Sequence, residues 1–298
     1  MPSTKLRLRG PLDLAHTLAP LSHAHGDPTL RLGRAEAWRA TRTPFGPATT
    51  RLRLLRGELE AEAWGPGAEW ALAGVADLVG ENDRPELLEP RHRLIRELQH
   101  RNPGLRLARS RAVFEALVPV VIEQKVIGLE ARRAYRALLR HFSEPAPGPA
   151  PLLLPPSPER VAATPYWDFH PMGIERRRAE TLIRCARVAR RLEEAAEMAA
   201  PQARARLLAV HGVGPWSAGH VGLTALGDPD AVPIGDYHLP HLVTWALAGE
   251  ERGSDERMLE LLEPYIGQRG RVVTLLLTGV GAAPRRGPRL PLRNLTAF

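Results

Sequence analysis

Cysteine is nearly absent: Cys185 is the only one in 298 residues. That excludes an internal disulfide framework, a four-cysteine iron–sulfur cluster and a cysteine-rich zinc site. Long apolar runs are missing too. None approaches the ~18–20 residues a transmembrane helix needs, and 25% of the residues are charged. The opening MPSTKLRLRGPLDL has no apolar signal core, so a cytoplasmic protein is expected. Lysine is scarce as well: Lys5 and Lys125 are the only two among 41 basic residues. Coding bias toward GC accounts for arginine over lysine, since Ala, Gly and Pro rise with it. The net charge of +8 still favours a polyanionic partner such as nucleic acid.

What is present divides the chain in two. LRLGRAEAWRAT and TTRLRLLRGELEAEAW alternate apolar with polar residues, the period of half-buried strands, and Arg56-Gly57 is placed for a hairpin turn. PGAEWALAGVADLVG then changes to helical spacing. Residues 1–84 therefore read as an α+β domain with an antiparallel sheet. Residues 85–298 read as helical. PELLEPRHRLIRELQH is expected to be one amphipathic helix, closed by Asn102-Pro103-Gly104. SRAVFEALVPVVIEQ is expected to start at Ser110 as N-cap and run to Gln124. LEARRAYRALLRHF follows as another helix. A proline-rich connector spans 143–158, with Ser157-Pro158-Glu159 set to open a short helix. GIERRRAETLIRCARVARRLEEAA is expected to be long and amphipathic. The fold class expected is mainly α with a small N-terminal α+β domain.

LLAVHGVGPWSAGHV, Leu207 to Val221, interrupts two helical segments for only a few residues. Gly212 and Gly214 allow positive φ there, and Pro215 suits the first turn of the second helix. The result is a tight two-helix turn with bare backbone at its tip, able to approach a ligand. Amides at the following helix start suit a phosphate oxygen. Such a turn also occurs as plain structure. Downstream, AVPIGDYHLP puts Asp236 at a helix start after a Gly/Pro-rich loop, which by itself describes an ordinary N-cap.

Taken together these segments resemble the helix-hairpin-helix DNA glycosylases, specifically the 3-methyladenine DNA glycosylase II-like branch. The hairpin matches theirs, and VPIGDYHL follows two dozen residues later, where their catalytic aspartate sits. VFEALVPVVIEQKVIGLEARRAYRALL is similar to their segment carrying a loop that enters the minor groove. The resemblance implies two helical lobes around an active-site cleft, with Asp236 catalytic. It implies a base pocket containing Trp216, with His220 and Gln268 at positions where relatives have aromatics. DNA contacts are implied for Gln124 and Lys125 and for His211, Gly212, Val213 and Gly214. The backbone carbonyls of Leu208, Val210 and Val213 would hold a monovalent cation, Na+ or K+. No organic cofactor is implied.

The lyase members of that family place a Schiff-base lysine two residues after the second hairpin glycine; here that residue is Trp216. The expectation is therefore a monofunctional enzyme. It would excise N3- or N7-alkylated purines from duplex DNA, initiate base excision repair and act as a monomer away from membranes. The alternatives are a non-catalytic hairpin protein that binds damaged or bent DNA, and a glycosylase for oxidised or deaminated bases. PYWDFHPMGIERRRAE could lend aromatics to the pocket or arginines to phosphates, although core packing beside a solvated helix face is the safer reading.

Overall fold

The computed structural model describes residues 2–23 and 26–280; the basic stretch 283–294 lies outside the described residues. In chain order come β1 Ser3–Arg7, α1 Leu14–Leu18, β2 Leu30–Leu32, β3 Glu36–Thr43, β4 Gly46–Leu55, β5 Glu58–Trp64, α2 Ala68–Ala73 and α3 Val75–Leu78. Then follow α4 Arg93–Arg101, α5 Val113–Glu123, α6 Gly128–Phe142, α7 Pro158–Ala163, α8 Arg176–Arg187, α9 Ala189–Glu193 and α10 Ala200–Leu208. The last are α11 Pro215–Val221, α12 Leu239–Ala248, α13 Asp255–Leu262 and α14 Arg269–Gly279.

The strands form one antiparallel sheet in the order β1-β5-β4-β3-β2. Arg56 and Gly57 both take positive φ, 49° and 84°, the two-residue turn whose twist matches the flanking strands. Strand alternation sends Ala37, Leu52, Leu59, Ala61 and Ala63 to one face, where they meet Leu14, Leu18, Leu72, Val75 and Leu78. Trp38, Ala40 and Trp64 occupy the other face. The proline-rich connector covers it with Ala146, Ala150, Leu152 and Leu154, and the two tryptophan rings stack at 5.3 Å. That connector is a wall of the sheet rather than a spacer. Glu115 then ties β3 to α5 by accepting from Arg39 and from the Thr41 hydroxyl at 2.6 and 2.7 Å.

The helices make two separate cores. One gathers α5 to α11 around Phe114, Leu117, Tyr135, Phe142, Phe169 and Leu182. The other joins α4 to α12, α13 and α14 around Ile95, Leu98, Val243, Met258, Leu262 and Val272. The chain thus visits the second lobe with α4, builds the whole first lobe, and returns. Buried Arg178 closes the C-terminal end of α5 by donating to Ile122 O at 2.7 Å. Buried Cys185 has no disulfide partner, and burial pushes its thiol up to about 12.

Three expected helices are shorter than their patterns suggested. Residues 85–87 form a 3-10 turn and α4 starts only at Arg93. Pro90 supplies the reason: it lacks a donor and disfavours α geometry in the residue before it. The segment after Gly173 breaks at Val188, φ −114°, into α8 and α9. Finally, α5 begins at Val113 rather than beside Ser110, because Arg111 sits at φ +56°, outside the helical region.

The start of α5 is capped from afar: the Glu193 carboxylate accepts from Val113 N and Phe114 N at 2.8 and 2.9 Å. Burial pushes its carboxyl up to about 7; the two amides resist that shift and Glu115 adds to it. Its folded value thus exceeds its unfolded one, so the folded state holds a proton that the unfolded state releases. The stability this contributes is full below the unfolded value and is lost as pH rises through 7. Glu193→Gln should flatten the fall in urea midpoint between pH 5 and pH 8, while keeping an acceptor for the two amides. An unchanged pH slope in the variant would discard this assignment.

Candidate active site

The two lobes meet at the hairpin and at the loop 227–238 between α11 and α12. α10 ends at Leu208, and the turn 209–214 carries the chain into α11. Gly212 takes φ +97°, and a Cβ there would sit 2.3 Å from Thr181 Oγ1, so only glycine lets the turn lie on α8. Gly214 departs from expectation. It is extended, at φ −104° and ψ −176°, and its position as α11 N-cap needs no left-handed geometry. Val213 is buried, and its amide donates to Val210 O at 2.9 Å, while His211 is exposed.

Gln124 closes the hairpin from the side. Its Nε2 donates to Gly212 O at 2.9 Å and to Ser217 Oγ at 3.0 Å. The amide expected to face DNA is thus committed to bracing the turn. Next to it, exposed Lys125 sits at φ +56°, a conformation that costs energy in a residue with a Cβ and recurs at functional sites.

Asp236 lies beside α11 because Gly219 lets the loop approach. A Cβ on Gly219 would fall 2.5 Å from Val232 O and 2.6 Å from Pro233 N. Four residues later, Asp236 Oδ1 accepts from His238 N and Leu239 N at 2.7 and 2.8 Å, doing the capping work a helix start requires. Its other oxygen, Oδ2, accepts from Trp216 Nε1 at 2.8 Å and stands 3.9 Å from His220 Nε2. The His220 ring meets Trp216 edge-on, centroids 4.6 Å apart. At 3.9 Å the His220 contact is longer than an ordinary hydrogen bond. Burial works to raise the Asp236 carboxyl. It is outweighed by His220, the Trp216 N–H and the Leu239 and His238 amides, which hold it well below the usual carboxylate range. The side chain remains 22% exposed, so this ionised group is reachable from outside.

Trp216, His220 and Asp236 are therefore brought together as one group. Gln268 is not among their partners: buried at the start of α14, it accepts from Arg271 Nε at 2.7 Å in a network with Asp83. Its side chain is committed to joining α14 to the chain ahead of α4. Two residues that sequence reasoning missed do face the group. Glu123, at the end of α5, is raised by burial and feels His220 and Asp236. His23, beside Tyr135, is lowered to about 4 by burial, with His220 adding to the shift and Asp27 opposing it. Glu123 carried one faint signal, a charge ending an apolar helix; His23 carried none. In the decorated segment, Phe169 and Met172 enter the first core, whereas Trp167 is exposed and Tyr166 lies under the Arg176 guanidinium at 4.6 Å.

The indole N–H is a testable part of this geometry. Trp216→Phe keeps the aromatic face and removes a donor to a charged acceptor, a bond worth about 1.5–3 kcal/mol. The expected result is a roughly 10- to 150-fold slower single-turnover reaction, by the tenfold-per-1.4 kcal/mol rule. Retention of the full rate would show that Trp216 does not position Asp236.

The sheet domain and the two-lobed helical bundle make up a fold shared with solved DNA glycosylases. The solved 3-methyladenine DNA glycosylase of Archaeoglobus fulgidus superposes with a TM-score of 0.77 at 19% identity, covering 92% of this chain and 97% of that one. An 8-oxoguanine glycosylase/lyase of Clostridium acetobutylicum, solved with double-stranded DNA, gives 0.62 at 14% identity over 83% of this chain and 95% of its own. In sequence, the Bacillus subtilis protein YfjP, provisionally assigned as a DNA-3-methyladenine glycosylase, is 23% identical over 212 residues, 63% of this chain and 73% of its own. No protein-family model matches the chain.

Proposed function

We propose that the protein is a monofunctional DNA glycosylase that removes N3- and N7-alkylated purines from duplex DNA, as a cytoplasmic monomer without an organic cofactor. The observation that carries this reading is Asp236. It is an ionised, partly exposed carboxylate fixed by three N–H donors, on the loop that packs against the second helix of the hairpin. A protein that only binds DNA gains nothing from a fixed negative charge on its phosphate-facing side. The relatives' substrates point the same way, with 3-methyladenine in the names of two of the three. Among the described residues no helix is long and apolar enough to cross a membrane.

An alkylated purine is cationic and already a good leaving group, so no strong general acid is needed to expel it. The base must first leave the stack, at a cost of a few kcal/mol. As the C1′–N bond stretches, the sugar acquires oxocarbenium character, and the Asp236 carboxylate stabilises that charge. The face of Trp216 offers a cationic base a cation–π contact of ~0.5–2 kcal/mol. The Gly212 and Gly214 amides of the hairpin hold a phosphate, the Val213 amide being taken by Val210 O, and exposed Lys125 enters the space the base leaves.

A monovalent cation on the Leu208, Val210 and Val213 carbonyls fits the local chemistry. The Val210 carbonyl already accepts from Val213 N but has a second lone pair, and Leu208 ends a helix, where carbonyls lack intrahelical donors. Such an ion would offset charge on the bound phosphate.

The deciding experiment is chromatographic identification of bases released from methylated duplex DNA, together with borohydride trapping of any Schiff base. Release of 3-methyladenine or 7-methylguanine without a trapped adduct supports the reading. Release of 8-oxoguanine instead, with strand cleavage, would favour the activity of the Clostridium relative. Binding without release of any base would leave a DNA-binding role. Affinity for undamaged duplex should fall linearly with log salt, the mark of phosphate contacts by this arginine-rich surface; salt-independent binding would contradict it.

A further inference from the structure

We propose that the outer face of α6 is a second phosphate-binding surface, holding the undamaged duplex beside the nucleotide that is flipped out; this rests on the DNA glycosylase reading above. Its first support is the spacing of the arginines. Leu129, Arg132, Arg133, Arg136 and Arg140 are all exposed along α6. At about 100° per residue they fall within an arc of about 100°. Glu130, the only acid on the helix, lies outside that arc. The opposite side is buried in the first core through Ala134, Tyr135, Leu138 and Phe142.

A stripe of this kind works against the helix that carries it. Arg136 has Arg132, Arg133 and Arg140 as neighbours at three or four residues' distance, where like charges repel. Other helices of the chain place an acid at that spacing. On α4, Glu97 lies 2.8 Å from Arg93 and 3.9 Å from Arg101. On α8, Glu180 stands between Arg176 and Arg184, at 2.7 and 3.1 Å. On α13, Glu260 meets Arg257 at 2.9 Å. Arg133, Arg136 and Arg140 form no ion pair among the described residues. Coding bias puts arginine in place of lysine, but it does not take glutamate away. An external anion with several charges in a row relieves the repulsion, and a nucleic-acid backbone has that form.

Position favours duplex DNA as that anion. Only residues 124–127 separate α6 from α5. Among them, Gln124 braces the hairpin at Gly212 O and Ser217 Oγ, and Lys125 is exposed. Arg132, near the start of α6, acts on Glu123, which in turn feels Asp236. The stripe therefore begins beside the hairpin and the candidate reacting group and continues along the helix. From Arg133 to Arg140 it runs about 10 Å at 1.5 Å per residue, the rise of about three base pairs. The planar guanidinium fork suits phosphate oxygens.

The test is affinity for an undamaged duplex against salt concentration, for the wild type and for Arg133→Gln/Arg136→Gln/Arg140→Gln. A second triple variant, Arg7→Gln/Arg34→Gln/Arg56→Gln, removes the same charge from exposed positions of the sheet domain. Loss of three phosphate contacts should lower the slope of log affinity on log salt by about 2.7, at about 0.9 per contact. Between about 50 and 200 mM salt the wild type should then lose about 40-fold more affinity than the α6 variant. The sheet variant should keep the wild-type slope. Single-turnover base release at saturating enzyme should be unchanged in both, since Asp236 and its donors are untouched. The urea midpoint of the α6 variant should hold or rise, because like-charge neighbours are removed. An α6 slope within about 1 of the wild type overturns the proposal and leaves the stripe to another anion, such as an acidic protein. An equal drop in the sheet variant overturns it too, since overall charge alone then explains the effect. A wild type that binds no duplex brings down the DNA reading itself, which separates the two failures.

Discussion

Asp236→Asn should release alkylated bases about 100- to 1000-fold more slowly than the wild type, the size of effect seen when one charge-stabilising group is removed from a transition state. The substitution keeps the side-chain shape, and its Oδ1 can still accept from His238 N and Leu239 N, so α12 keeps its cap. What disappears is the negative charge facing the sugar. In its place an amide NH2 can confront the Trp216 N–H, donor against donor. Affinity for duplex DNA should hold or improve, because a carboxylate near phosphate is unfavourable. The assay is single-turnover release on saturating enzyme, with binding measured separately on the same duplex. A rate within threefold of wild type would remove Asp236 from the mechanism, whatever its geometry.

The largest expected effect on stability lies away from the reacting group. Asp83 and Arg271 form an ion pair in which each side chain is 5% exposed, and Asp83 Oδ2 also accepts from Leu107 N at 2.8 Å. This pair, with Gln268, fastens α14 to the segments on either side of α4. Asp83→Ala strands a buried guanidinium and should cost about 3–5 kcal/mol, the range for breaking one side of a buried pair. The urea midpoint reads it directly. Asp83→Ala combined with Arg271→Met should recover much of the loss, because the unpaired charge is then gone. A single variant costing under about 1 kcal/mol would mean that water reaches the pair and screens it.

Both results bear on how much could be read from the chain alone. Arg56-Gly57 and the alternating strands were legible because strand period and two-residue turns are local properties. Ser157-Pro158 was legible for the same reason: the Ser157 hydroxyl does accept from Arg160 N at 3.1 Å. Ser110 was misjudged because a non-local carboxylate, Glu193, caps α5 in its stead. The connector's role against Trp38 and Trp64 was invisible, since proline content reports stiffness and says nothing about what lies beneath. Gln268 was assigned to a pocket by position in a pattern, and burial with Arg271 shows its partners to be others. Glu123 and His23 came from segments roughly a hundred residues apart, joined to His220 only by packing.

By itself the sequence determined the hairpin, the aspartate at the next helix start, the absence of a lysine after the second hairpin glycine, and the division into sheet and helices. Each depends on spacing within a few residues, where backbone geometry leaves few choices. Tertiary structure alone decided that α4 joins the last helices rather than its neighbours, and that Gly219 lets a distant loop reach α11. It also decided that Trp216 and His220 flank one oxygen of Asp236. Those outcomes depend on which apolar faces find each other, a choice made by the whole chain at once.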